Sequence, residues 1–182
     1  EIVVKNSGDV RLTDWLGETA ARQRIGVDAW LVSIHQLRQW QQATQYHEIE
    51  WVPARPNLVD SIWADQPTAP AGKVVRHADE LAGSTYAEKR ASLQTTIQKY
   101  GVDAVLLTQP DAVNWLLNIR GSDVPFNPLL LSYFMLNADG RGTLFTFENA
   151  LGAEVEEYLN AQKITRADIT KLFAGEGSAF TA

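Results

Sequence analysis

Residues 85–107 read TYAEKRASLQTTIQKYGVDAVLL, and the change of pattern inside this stretch decides the fold class. Thr85 and Glu88 form a Thr-x-x-Glu capping box, in which the two residues reciprocally satisfy backbone amides left open at a helix start. Tyr86, Leu93, Ile97 and Tyr100 then fall on one helical face, and Gly101 supplies the left-handed stop. Val102–Leu107 follows at once as an apolar strand. A helix that gives way to a strand within one short turn, repeated along a chain, marks an α/β layer.

The same alternation continues toward the C-terminus. Pro110 suits the first turn of a helix through Leu117. Leu129–Leu136 and Thr143–Phe147 read as strands, and Asn137-Ala138-Asp139-Gly140-Arg141-Gly142 between them reads as a hairpin, so at least one strand pair is antiparallel. Asn149 caps a further helix with Leu151, Val155 and Leu159 inward, and Glu154, Glu156 and Glu157 form its solvated side. Beyond Gln162 helix and strand are not separable, and Gly175-Glu176-Gly177-Ser178 reads as frayed.

Toward the N-terminus, residues 64–83 contain Pro67, Pro70, Gly72 and Gly83 without a sustained period and read as an extended connection. Before it, Thr13 is expected to cap a short helix carrying Trp15 and Leu16, and Ile25-Gly26-Val27-Asp28 to form a buried strand. Ser33 is expected to cap a helix whose Ile34, Leu37 and Trp40 share a buried face. His47–Val52 reads as the next strand, and Asn57 as the cap of a last short helix with Leu58, Val59, Ile62 and Trp63 on its apolar side. Ile2-Val3-Val4 resembles a strand already under way, with no initiator Met, so the chain is read as a piece of a longer one. No period of 20–50 residues repeats.

With 182 residues, 45% of them apolar, the chain is long enough to bury a core. A formal charge of −6 argues against a nucleic-acid or anionic-membrane surface, both of which need a concentrated positive field. The absence of Cys excludes disulfides and thiolate metal sites. The longest apolar run, around Leu129–Leu131, falls far short of the ~20 residues that span a bilayer. A soluble protein is expected.

Most candidate chemistry has an ordinary explanation. His35, His47 and His77 form no His-x-x-x-His pair and have no carboxylate at ligand spacing, so surface or half-buried histidines are expected and no metal is assigned. No Gly-x-Ser-x-Gly occurs, and Asp139-Gly140-Arg141-Gly142 sits between strands rather than before a helix, so its glycines serve a turn and not a phosphate. No catalytic residue is assigned.

The stretch Asn114–Pro128, NWLLNIRGSDVPFNP, differs because polar groups crowd between a short helix and an apolar strand. Arg120 brings a planar fork suited to carboxylates, Gly121 permits a sharp turn, and Asp123 can hold the Arg or cap an amide. Two arrangements fit this chemistry. In one, Arg120 pairs with Asp123 and the turn is self-contained. In the other, Arg120, Asp123 and Asn127, costly to bury unless paired, lie at an open edge with partners.

Asn118-Ile119-Arg120-Gly121-Ser122-Asp123, followed by Asn127-Pro128 and a strand, resembles the Asn-Leu-Arg-Gly-Ser-Asp signature of the middle domain of three-domain Xaa-Pro aminopeptidases, the aminopeptidase P family. A second block, Asn57-Leu58-Val59-Asp60-Ser61-Ile62-Trp63-Ala64-Asp65-Gln66-Pro67, is similar to that family's Asn-Leu-Val-Asp-x-Ile-Trp-x-Asp-x-Pro at the junction of its first two domains. Trp15-Leu16 with Arg24-Ile25-Gly26-Val27-Asp28 resembles its late first domain. Three blocks occur in the family's order.

The resemblance implies creatinase/prolidase N-terminal-like α/β domains, each a mixed sheet flanked by helices. Residues 1–63 would be the C-terminal half of the first, 64–83 the linker, and 84–182 an incomplete second. It implies an enzyme that removes the N-terminal residue from peptides with proline second. The two divalent metals of that chemistry, usually manganese, belong to a pita-bread catalytic domain that follows in the whole enzyme. This segment would be inactive alone, shaping the substrate channel and supporting a homodimer, with Arg120 and its neighbours Asp123 and Asn127 as candidates for the channel wall. Creatinase-like domains also resemble this one where they serve as peptide- or histone-binding modules, and prolidase and creatinase are related alternatives.

Overall fold

A computed structural model describes residues 8, 10–28, 31–54, 57–147 and 151–173. The expected strand at Ile2–Val4, the cap at Asn149 and the frayed Gly175–Ser178 lie outside the described residues. The chain divides into two compact units, Glu1–Pro67 and Thr68–Ala182.

In the first unit, helix α1 spans Leu12–Thr19 and strand β1 Arg24–Val27, followed by helix α2 at Ile34–Ala43 and strand β2 at Glu50–Pro53. Strands β1 and β2 pair in parallel, with Ile25 opposite Trp51. Thr13 does not cap α1: the extended residue before the helix is Arg11, without a side-chain cap bond. Ser33 does cap α2, its hydroxyl accepting from the Gln36 amide at 3.1 Å. The expected buried face of α2 is only half realised. Trp40 stacks on Trp51 with ring centroids 5.7 Å apart, whereas Ile34 is exposed. Among the described residues this unit's sheet has two strands, which offer too little surface to cover the whole face.

Two further expectations in this unit are corrected. The strand expected at His47 starts at Glu50, because Gln45–His47 forms a single 3-10 turn and Glu48 adopts a left-handed conformation with φ 54°. Asn57 starts turns rather than a helix. Its side-chain oxygen accepts from the Val59 and Asp60 amides, while Leu58, Val59, Ile62 and Trp63 are all exposed. An Asx turn satisfies these amides locally, and without an apolar wall nothing favours further helix.

The second unit opens with strand β3 at Val75–Arg76 and helix α3 at Asp79–Ala82, both inside the stretch expected to be an extended connection. Val74 joins the core beside them. Helix α4, Tyr86–Tyr100, carries the full capping box: the Glu88 carboxylate accepts from the Thr85 amide at 2.8 Å, and Thr85 Oγ1 accepts from the Glu88 amide at 3.3 Å. The Thr85 amide, and the Thr85 hydroxyl that donates to the same carboxylate at 3.0 Å, hold the Glu88 carboxyl below its ordinary value. Gly101 ends the helix with φ 64°. Thr85→Ala is therefore expected to destabilise this unit by about 1 kcal/mol in urea denaturation. An unchanged midpoint would show that the first amides find other partners.

Strand β4 is Ala104–Leu107, helix α5 Pro110–Leu117, and β5 the two residues Ile119–Arg120. Strands β6, Tyr133–Asn137, and β7, Gly142–Thr146, form the expected antiparallel hairpin. Residues 129–132, expected to belong to β6, lie outside any strand. Helix α6, Ala153–Ala161, leads to strand β8 at Ile164–Asp168 and helix α7 at Ile169–Phe173. The main sheet runs β4-β6-β7-β8, antiparallel except for β7 with β8, and β3 pairs separately with β5. One core unites the helices and the sheet: Tyr86 and Ile97 of α4, Val113 and Leu117 of α5, Phe134 and Leu136 of β6, and Val155 and Leu159 of α6. Val155 and Leu159 point inward as expected, whereas Leu151, also buried, precedes the helix, which starts at Ala153 with Gly152 as its cap. Glu156 lies on the solvated side and pairs with Arg166 at 3.3 Å. The mixed sheet with flanking helices is the fold class expected from the alternation.

Candidate functional site

Two asparagines build the ground beneath the Arg120 loop. Asn114, buried on α5, takes the place of a strand neighbour: its amide oxygen accepts from the Leu130 amide at 3.0 Å and its nitrogen donates to the Leu130 carbonyl at 2.9 Å. Asn118 ends α5 in the left-handed region, φ 50°, which Asn tolerates better than most residues with a Cβ. Its side chain donates to the Asp79 carboxylate at 2.8 Å and the Ser84 carbonyl at 2.9 Å.

The side-chain oxygen of Asn118 accepts a hydrogen bond from the Lys89 ammonium at 2.6 Å. Lys89 lies on the apolar face of α4, one turn past Tyr86, and is 6% exposed. Its ammonium also donates to the Trp115 carbonyl at 2.7 Å and sits 4.2 Å from the Trp115 ring centroid. Desolvation pushes its pKa down, and the Asp79 charge partly offsets this. A buried lysine with two acceptors and an aromatic face is satisfied in place. Asp79 in turn pairs with Arg76 at 3.0 Å, and Arg76 lies over the Tyr158 ring.

Above this network the loop after Arg120 is closed at its base. The Gly121 amide donates to the Pro128 carbonyl at 3.2 Å, and the Asp123 amide to the Leu129 carbonyl at 3.1 Å. A Cβ on Gly121 would run into the backbone of Leu129 and Leu130, so glycine is required here by close approach. Asp123 accepts from the Gly72 amide at 2.8 Å and the Leu131 amide at 2.7 Å, clasping two segments distant in sequence.

Arg120 does not pair with Asp123. Its Nε donates to His77 Nδ1 at 3.2 Å, and its Nη2 lies 3.4 Å from His77 Nε2, so the guanidinium lies alongside the imidazole. His77 is held there by its own amide, which donates to the Asn118 carbonyl at 2.8 Å. The Arg120 side is exposed and borders a cleft of about 310 Å³, whose lining includes His77, Lys89, Trp115, Asn118, Arg120 and Leu129. Asn127 is exposed on the loop and does not line the cleft.

Of the three residues singled out from sequence, Arg120 faces the cleft, Asp123 serves the backbone, and Asn127 stands apart. Sequence reading missed His77, Lys89 and Trp115 as cleft residues. His77 comes to Arg120 only because β3 pairs with β5, with Val75 opposite Arg120. For Lys89 a signal was present, a lysine on the face shared by Tyr86, Leu93 and Ile97. Among the described residues no group of three or more His, Asp or Glu side chains converges as a metal site. No described helix is long and apolar enough to cross a membrane.

Comparison with known proteins gives a consistent result. Residues 65–179 match the family model of the creatinase/prolidase N-terminal domain. Xaa-Pro aminopeptidase 2 of Sus scrofa is 34% identical over 154 residues, covering 82% of this chain and 23% of that protein. Aminopeptidase P1 of Lotus japonicus is 28% identical over 163 residues, covering 89% of this chain and 25% of that protein. The chain thus spans about a quarter of the length of these curated relatives. The crystal structure of X-prolyl aminopeptidase from Caenorhabditis elegans, described as a cytosolic enzyme with a di-nuclear active site, superposes with a TM-score of 0.84 at 26% identity, covering 98% of this chain and 29% of that one. With the match covering most of the second unit and the mixed α/β fold in agreement, the chain belongs to the creatinase/prolidase N-terminal domain family.

Proposed function

We propose that these residues are the non-catalytic leading part of an Xaa-Pro aminopeptidase, a metallopeptidase that removes the N-terminal residue from peptides with proline second. The observation that carries this reading is the Arg120 guanidinium, exposed at the cleft edge beside His77, while Asp123 is engaged by backbone amides. A cation kept out of an ion pair and held at a cleft is suited to meet a polar ligand. In this reading Arg120 lines the peptide path and Asp123 keeps the loop in shape, with Asn127 on the outer side. Residues 1–67 belong to one creatinase-like domain and 68–182 to a second, so that most of the stretch expected as a connection is part of the second. The assembled enzyme is a cytoplasmic homodimer.

The described residues do not fit a di-nuclear metal centre. The two metals, manganese by resemblance, are assigned to a pita-bread catalytic domain elsewhere in the whole protein, and no step of the reaction is assigned to residues of this segment. Their contribution is orientation: a guanidinium fixed along one wall restricts how a peptide backbone can lie.

The test is Arg120→Ala in the full-length protein. kcat/KM for an Xaa-Pro peptide is expected to fall about tenfold, roughly 1.4 kcal/mol, with the melting temperature and metal content unchanged. Activity per folded molecule equal to wild type would end the channel-wall role. A full-length wild type without Xaa-Pro activity would instead favour a peptide-binding module.

A further inference from the structure

The lining of the Arg120 cleft runs against the charge of the whole chain, which is formally −6. Around the cleft Lys89 and Arg120 are positive and Asp111 is negative, so two cations stand against one carboxylate. Neither cation is in an ion pair among the described residues. The Lys89 ammonium is bonded to two neutral acceptors, the Trp115 carbonyl and the Asn118 side chain. The Asp79 charge that reaches Lys89 is itself engaged by Arg76 and Asn118. His77 meets Arg120 as a hydrogen-bond acceptor at Nδ1.

What these groups leave open favours an anion. Arg120 turns Nε and Nη2 to His77, while Nη1 has no partner among the described residues. A guanidinium held by one edge keeps donors for a carboxylate. Trp115, 63% exposed, lines the same cleft. The Lys89 ammonium lies 4.2 Å from its ring centroid, so the indole already serves one cation, and a second cation arriving in the cleft would be repelled by it. An anion is attracted by both Lys89 and Arg120. The volume of about 310 Å³ lies at the small end of ligand sites, roughly 300–1,000 Å³, and suits the end of a short peptide.

We propose that this cleft captures the α-carboxylate of a short peptide on the Arg120 guanidinium, so that a free C-terminus close after the proline is part of what the protein selects. This rests on the aminopeptidase reading. In that reading the N-terminal residue is the one released, so the amino end lies at the catalytic centre and the part of the peptide that passes Arg120 is its carboxyl side. A peptide can bring a carboxylate there from its C-terminus or from an acidic side chain, and the small cleft favours the former.

The experiment gives the full-length protein three tripeptides: Xaa-Pro-Ala as the free acid, the same peptide as its C-terminal amide, and Xaa-Pro-Asp amide, whose carboxylate is on a side chain. For wild type, kcat/KM on the acid is expected to exceed that on the plain amide about tenfold, mainly through KM, with the Asp amide within about twofold of the plain amide. Arg120→Ala is expected to erase the acid's advantage, slowing the acid about tenfold and leaving the plain amide within about twofold of wild type. Equal rates of wild type on acid and amide, or an equal loss on both in the Arg120 variant, would overturn this inference without touching the aminopeptidase reading. An Asp amide as fast as the acid would overturn the terminal carboxylate in favour of a side chain. A wild type inactive on all three peptides would overturn the aminopeptidase reading and this inference with it.

Discussion

Asp123→Ala is expected to destabilise the second unit by about 3 kcal/mol, while Arg120→Ala changes its stability by no more than about 0.5 kcal/mol. The asymmetry follows from what each side chain holds. Asp123 is half-buried, and its two oxygens separately accept from the amides of Gly72 and Leu131. Bonds to an ionised acceptor contribute about 1.5–3 kcal/mol each, and the two are not fully additive. Removing the carboxylate leaves both amides without that acceptor and releases the clasp on residues 72 and 131. Asp123→Asn keeps one acceptor oxygen and is expected to lose about half as much. Arg120 is exposed and among the described residues its side chain hydrogen-bonds to His77, itself half-buried, so its truncation frees no fully buried partner. Urea denaturation followed by far-UV circular dichroism measures both. Equal losses in the two alanine variants would mean that Arg120 braces the turn after all.

Alkaline pH is expected to weaken the second unit through Tyr86. Burial, reinforced by Tyr158 and opposed by Arg90, raises the Tyr86 phenol from 10.0 to about 12. The folded-state value lies above the unfolded one, so the stabilising difference is fully present below pH 10 and is lost as pH rises through about 12. At about 1.36 kcal/mol per unit, the loss across that window is roughly 2–3 kcal/mol. Tyr158, also raised by burial, acts in the same direction. Lys89 acts the other way, because its lowered value lets the unfolded state hold a proton longer, so stability rises with pH below the ordinary lysine range. Tyr86→Phe isolates the first contribution. Its hydroxyl is buried without a hydrogen-bond partner among the described residues, so the variant is expected to match or exceed wild type at pH 7 and to show a flatter decline between pH 10 and 12. A parallel decline in both proteins would sink this assignment.

Both predictions depend on residues that the sequence presents without their context. Tyr86 reads as a core residue from its helical spacing, and it is one, but nothing in the spacing tells that its hydroxyl finds no partner. Asp123 reads equally well as a partner for Arg120 or as an acceptor for amides. The choice turns on where Gly72 lies, some fifty residues earlier in the chain.

What the sequence determined by itself is what short-range physics controls. The Thr85–Glu88 box, the Gly101 stop, Pro110 at the start of α5, the 137–142 hairpin and the inward face of α6 all follow from hydrogen bonds, backbone freedom and periodicity within a few residues. The alternation of these elements determined an α/β fold, and three ordered motif blocks indicated the family. The tertiary structure alone decided which neighbours meet. It turned the expected helix at Asn57 into turns and exposed Ile34, because burial depends on a wall that no local pattern reveals. It set His77 beside Arg120 by pairing β3 with β5, directed Asp123 to two distant amides, and placed Lys89 under Trp115. Strand pairing and side-chain clasps join residues far apart in the chain, and a single sequence carries no record of those distances.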